Sequence, residues 1–277
     1  MTTLTLHRSG PATERRIMVA RTVRSEFTKV RSVRSTYWTL TLMVLASLAW
    51  CVAYCLGTVH HWPAMSPQDR ASFDPAQSSV LGVALLGQLV IVVFGALMLT
   101  SEYSTGSMRT SLTVMPRRTV LYGAKLAVFA AVSLGVAVVT SLGAFFLGQA
   151  LLGGPHAAVS LAHPGALRSV VITALYAEVC GLIAFGVGAL VRNTAAALTI
   201  AYGALTLLPQ LVKALPTPLY HAVVAWVPGG DAIAVMTATS GSRPPHMFSA
   251  WGELAVFAAY AAVLLAIGAV QFRTRDA

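Results

Sequence analysis

The residues best placed to do chemistry lie in one short polar stretch, SEYSTGSMRTSLTVMPRR (residues 101–118), and at one acid inside an apolar run, Glu178. The stretch opens on Glu102, continues through Gly106, Ser107 and Arg109, and closes on Pro116, Arg117 and Arg118, with Lys125 at the mouth of the next apolar run. Met108, Leu112 and Met115 repeat at a spacing of four and three, which predicts a short amphipathic helix stopped by Pro116. An apolar stripe between charged flanks does the chemistry of recognition, and its counterpart is either the headgroups of a membrane or the surface of a soluble partner. Glu178 stands in LYAEVCGLIAFGVGAL, where an ionised side chain costs about 2.5–3.5 kcal/mol at mid-membrane and therefore faces a bundle interior or a cavity. Two readings stand for it: a pathway-lining or proton-coupled group, or a packing residue hydrogen-bonded to Ser133, Thr140 or Gln88 of a neighbouring span.

Other chemistries are excluded by pattern. There is no GxxxxGK[ST] loop to cradle nucleotide phosphates, and no HExxH or GxSxG. Asp231 follows Gly229 and Gly230 with no second carboxylate to share a proton. His60 and His61 are adjacent, so on a helix or a strand they do not converge on one metal ion. Cys51, Cys55 and Cys180 all fall within apolar runs and read as small buried hydrophobes. Nothing here reads as an active site, so this chain is not expected to be an enzyme or to hold a cofactor, and energised work would draw on another chain.

The elements that position these residues follow from composition. Of 277 residues 56% are apolar and 10% charged, where soluble domains carry about 25% charged. A hydrocarbon core needs about 20 apolar residues per helix, and six runs are read as spans: Tyr37–Val59, Ser79–Thr100, Leu126–Leu151, Val170–Val191, Thr194–Val212 and Leu254–Phe272. Backbone groups cannot stay unpaired in lipid, so the expected class is an all-α polytopic membrane protein. Its parts are a cytoplasmic arm (1–36), a six-helix transmembrane domain (37–272) and a short tail (273–277). With the N-terminus inside, fifteen of the nineteen Lys and Arg residues fall on the cytoplasmic side, which places both termini and the 101–125 segment in the cytosol. The net charge of +10 is then a matter of topology, not of nucleic-acid binding.

In the arm, Val19, Val23, Phe27, Val30, Val33 and Tyr37 draw one helical face, with Arg21, Arg24, Arg31 and Arg34 around it. A basic amphipathic helix leading into a span lies along the inner leaflet, with Trp38 near the interface. Residues 60–78 form a Pro- and Ser-rich loop on the far side. The 213–250 segment holds apolar pieces too short to span, and is expected to lie there as an interfacial or re-entrant helix. Small pairs such as Ala177 and Gly181, Ala184 and Gly188, and Ala258 and Ala262 allow close helix approach.

In order, EYSTGSMR (102–109), Pro116 with Arg117 and Arg118, and Lys125 resemble the cytosolic loop after the second span of type-2 ABC exporter permeases. RSEFTKVRSVR (24–34) is similar to the amphipathic connecting helix that opens those permeases. The resemblance covers nearly the whole chain. It implies a permease subunit that pairs with a second copy or a related permease in the bilayer, and that is driven by separate cytosolic ATPase subunits, with ATP bound there. By position, Glu102, Gly106, Ser107, Arg109 and Arg118 would belong to the ATPase-docking loop, with Glu26 and Lys29 on the connecting helix nearby; Ser107 stands where a threonine is more usual. The implied activity is efflux of a hydrophobic or amphipathic compound, such as a drug or natural product, across a bacterial cell membrane. The competing readings are a proton-coupled secondary transporter using Glu178, and a non-transporting immunity or anchor subunit.

Overall fold

The computed structural model describes residues 11–107, 118–153, 158–227, 229, 231–239 and 244–274. Among them there is helix and no strand. An arm helix, α1 (Pro11–Ser32), is followed by α2 (Arg34–His61). Between them Val33 alone is extended, with φ −87° and ψ 116°, and this one residue redirects the chain. A short α3 (Pro67–Ser72) precedes α4 (Pro75–Ser104). Then come α5 (Arg118–Leu152), α6 (Ala166–Val191) and α7 (Thr194–Lys213). Two short helices, α8 (Thr217–Val223) and α9 (Asp231–Thr237), lead to α10 (Ala250–Thr274).

Six of these, α2, α4, α5, α6, α7 and α10, are long and apolar enough to cross a membrane. Most run past the apolar stretches read from sequence. The difference matters most in α5, which starts at Arg118 and so carries Lys125 two turns inside a helix. The predicted helix around Met108–Met115, together with Arg109, Pro116 and Arg117, lies outside the described residues.

Local chemistry sets the helix ends. Asp74 caps α4 by accepting from Gln77 N, ahead of Pro75 in the first turn. Asn193 caps α7 by accepting from Ala196 N. Arg192 closes α6 in the left-handed region at φ 58°, so the turn into α7 is tight. Both α4 and α7 contain a π-helical turn, Val83–Gly87 and Gly203–Leu207, which relieves one backbone register along each span.

The central element is α6. It buries 83% of its most apolar window, against 22–33% for α2, α5, α7 and α10, and it packs on α4, α5 and α10. Small residues make this possible. A Cβ on Gly95 of α4 would stand 2.3 Å from the Gly181 carbonyl oxygen, and one on Gly181 would stand 2.8 Å from the Phe129 ring. The Gly181 and Gly188 positions singled out by spacing therefore pack α6 within this chain, whereas Ala258 and Ala262 of α10 are exposed. Hydroxyls within the spans mostly bond back to their own helices, as Ser133 does to Phe129 O and Thr140 to Val136 O. Tyr176 instead donates across the bundle to Gln88 Oε1 at 2.9 Å.

At one end of the bundle Val30 of α1 shares a buried cluster with Phe129, Phe185 and Phe272, so α1 and the last turns of α10 lie at that end. At the opposite end the first turns of α4 and α6 meet α9 and the residues just after it. There Gln77 reaches Ala234 O, and Arg168 reaches Ala238 O.

Candidate functional site

The arm helix lies against the bundle with a face that its apolar pattern does not pick out. Thr22, Glu26 and Val30, one turn apart, are the buried side chains, while Val19, Phe27, Val33 and Tyr37 remain 39–54% exposed. Within α1 the apolar stripe is thus split, Val23 and Val30 packing on the bundle and Val19 and Phe27 pointing away, the arrangement expected of a helix whose other neighbour is lipid. The face turned inward is polar at its centre because of what meets it there.

Glu26 meets Lys125. The Lys125 ammonium, 1% exposed, is 2.6 Å from Glu26 Oε2 and 2.5 Å from Glu102 Oε1. Lys29, one turn on from Glu26 and 43% exposed, stands 2.8 Å from Glu26 Oε1 and 3.6 Å from Glu102 Oε1. Two acids and two bases from α1, α4 and α5 therefore form one neutral cluster. Each element supplies its charge by position: Glu26 in the middle of α1, Glu102 in the last turn of α4, and Lys125 two turns into α5. Removing Lys125 or Glu26, the members that are buried, leaves an uncompensated charge, at a cost of about 3–5 kcal/mol. Lys29 lies outside the spans. Its burial would lower its pKa, but the hydrogen bond to Glu26 and the charge of Glu102 outweigh that, and the pKa is raised above 10.5.

The cluster clasps the two ends of a loop. Glu102 and Lys125 flank the whole polar segment between α4 and α5, so their contact fixes its two feet and joins them to the arm. Of the residues assigned to a docking loop, Gly106 and Ser107 are exposed; Gly106 has φ 71°, with open space for 4 Å around the point where a Cβ would stand. Thr105 and Ser107 share a hydroxyl–hydroxyl bond of 3.0 Å. Arg118 begins α5 and is half-buried. Next to the cluster, the Arg192 guanidinium lies 4.9 Å from the Tyr103 ring centre, and Thr194 donates to Thr100, so the α6–α7 turn joins the same end.

The resemblance set Glu26 and Lys29 near the loop that opens on Glu102, and the sequence noted Lys125 at the mouth of the third span, but neither paired these charges. The usable signal was a lone lysine followed immediately by LAVFAAV. A cation that close to an apolar run needs a partner, and Glu102, the nearest acid in chain order, is one of the two it holds; Glu26, 99 residues away, is brought to it only by the fold.

Glu178 lies elsewhere, in the middle of α6. It is 6% exposed, and neither carboxyl oxygen has a hydrogen-bond partner among the described residues. Ser133 is close to it but donates to Phe129 O, Thr140 donates to Val136 O, and Gln88 Oε1 accepts from Tyr176. The three partners considered for Glu178 thus have other engagements. Among the described residues no group of three His, Cys, Asp or Glu side chains is arranged to hold a metal ion.

Six apolar helices, an amphipathic arm and a charged clasp beneath the first inter-span loop on the arm side describe an integral membrane component with its buried ionic contact at one end. Comparison with protein families decides the matter: residues 22–203, more than half of the chain, match the ABC-2 family transporter protein. The chain belongs to the ABC-2 transporter family. The match begins within α1 and runs as far as the π-helical turn of α7, so it contains the whole clasp. No curated protein matches the chain. As an ABC-2 permease it is an integral membrane protein, and such permeases work with an ATP-binding subunit.

Proposed function

We propose that this permease exports a hydrophobic or amphipathic compound as one half of a dimer, and that the Glu26–Lys125–Glu102 clasp makes its arm and its α4–α5 loop move as one body when a cytosolic ATPase pushes on them. The observation that carries the reading is the clasp itself, a buried ionic contact between three elements at the end of the bundle that holds most of the cations. In this reading that end is cytoplasmic, which the distribution of Lys and Arg supports. Gly106, Ser107, Arg109 and Arg118 offer the surface that the ATPase meets. Glu26, Glu102 and Lys125 position that surface, and Lys29 closes its edge.

The dimer is supported by α7. One side of this helix packs on α4 and α6, while Ile200, Leu207 and Leu211 stay exposed along the other. A mostly apolar set of spans suits a cargo that is itself apolar or amphipathic, and no polar cluster among the described residues specifies a small charged solute.

The test is co-purification of the tagged permease with its ATPase from native membranes in mild detergent. Glu102→Ala and Arg109→Glu are expected to lose the ATPase while the permease still inserts. Retention of the ATPase by both variants would overturn the docking assignment. Absence of any ATPase with the wild-type chain would favour proton coupling through Glu178, or a subunit that transports nothing.

A further inference from the structure

Beside the clasp lies a cavity of about 530 Å³, between α1, the first turns of α2 and the last turns of α4. Its volume is that of a small-molecule site, about 300–1,000 Å³. One wall is apolar: Val33, Phe94, Leu97 and Met98. Interspersed with these are hydroxyls, and the hydrogens of four of them are already committed. Ser32 donates to Lys29 O, Thr39 to Ser35 O, Ser101 to Leu97 O and Thr105 to Ser101 O. What they offer a guest is lone pairs.

Glu102 lines the same cavity. Its Oε1 is held by Lys125, and its Oε2 has no hydrogen-bond partner among the described residues. The terminal torsion of a glutamate is soft, so a small turn of the carboxylate presents Oε2 to the cavity. Lining of this kind takes a guest rich in N–H donors. The clasp itself is neutral, so the guest must bring little net charge with it. Lys29 at the rim, 43% exposed, adds a place for an anion. The exposed Tyr37 and Trp38, 54% and 75%, follow at the start of α2, on the surface where a membrane interface places aromatic rings.

We infer that the cavity is the headgroup site of a phospholipid bearing a primary ammonium, of the phosphatidylethanolamine class. The ammonium donates to Glu102 and to the hydroxyls of Ser101 and Thr105, the phosphate lies against Lys29, and the acyl chains run out over Leu97 and Met98. The site rests on the proposed orientation only for its leaflet, which that orientation makes the inner one. A bound lipid then sits between the arm and α4, where it bears on the clasp.

The test uses the purified, delipidated permease without any ATPase, so its outcome is independent of the docking assignment. Phosphatidylethanolamine, its N-methyl and N,N-dimethyl forms, phosphatidylcholine and phosphatidylglycerol are titrated in turn, with binding read by native mass spectrometry. Affinity is expected to fall at each methylation, by about tenfold in all from the primary to the quaternary amine, since each step removes one N–H donor. Phosphatidylglycerol, which brings no ammonium, is expected to bind at least as weakly as phosphatidylcholine. Met98→Trp, which fills the apolar wall and leaves the clasp untouched, is expected to abolish the preference. Equal binding across the methylation series, or a preference unchanged in a folded Met98→Trp protein, would overturn the assignment.

Discussion

The two ends of this bundle are held together by different chemistry. At the arm end the contact is ionic and buried, with one ammonium between two carboxylates that come from α1 and α4. At the opposite end the carboxylate of Asp74 accepts from Gln77 N, Thr239 N and Thr239 Oγ1, Gln149 bridges Ser79 and Val159 N, and Arg168 rests on a backbone carbonyl. Hydrogen bonds of the second kind act one by one, so losing one loosens one turn. A buried ionic cluster holds as a set, and removing a single member turns the others against each other. On the proposed function the first arrangement transmits a displacement, while the second fixes a scaffold.

Lys125→Met breaks that comparison most sharply. It leaves Glu26 and Glu102 facing each other with only the rim lysine between them, at an expected cost of about 3–5 kcal/mol. Thermal unfolding in detergent reads the loss, and limited proteolysis is expected to cut α1 first. The same substitution in a Glu26→Gln, Glu102→Gln background is expected to cost far less, because no buried charge is left alone. Equal losses in both backgrounds would make Lys125 a packing residue.

Next is the crossing of α4 and α6 that both ends depend on. Gly95→Ala places a methyl 2.3 Å from the Gly181 carbonyl oxygen, which no side-chain motion relieves. An overpacking cost of about 1–3 kcal/mol follows, and protection from proteolysis should fall at both ends together. At the far end, Asp74→Ala removes a helix cap and two further charge-assisted bonds, about 2 kcal/mol. The arm is expected to stay as protected as in the wild type, which is the contrast with Lys125→Met.

Much of the architecture was legible in the sequence because bilayer thickness sets a length that apolar runs must meet. The clasp was legible only in pieces. Glu26 falls between Val23, Phe27 and Val30, so the periodicity of α1 favoured the apolar face and hid the polar one that the bundle buries. Lys125 adjoins the apolar run that opens at Leu126, so composition assigned it to the membrane surface. Its burial comes from α5 reaching back to Arg118, seven residues upstream, and from Glu26 and Glu102, which only the packed helices bring to it. Glu178 could be found by composition alone, yet its surroundings could not: Ser133 and Thr140 turn back to their own helix, and Gln88 is taken by Tyr176, which only the packed helices bring into reach.

The smallest effect is expected at Lys29, and it tests where the clasp ends. This lysine shares Glu26 with Lys125 but is 43% exposed, so solvent screens its contacts and Lys29→Met is expected to cost no more than about 1 kcal/mol. Its pH dependence has a definite sign. A lysine whose pKa is raised on folding contributes its stabilisation in full below its ordinary value of 10.5 and loses it as the pH climbs through the raised value. The difference in melting temperature between wild type and Lys29→Met should therefore stay constant from pH 6 to 9 and shrink only above about 10.5. A difference that closed near neutral pH would mean that Lys29 acts through an imidazole or through a carboxylate other than Glu26 and Glu102, and the clasp would then extend beyond the four charges assigned to it.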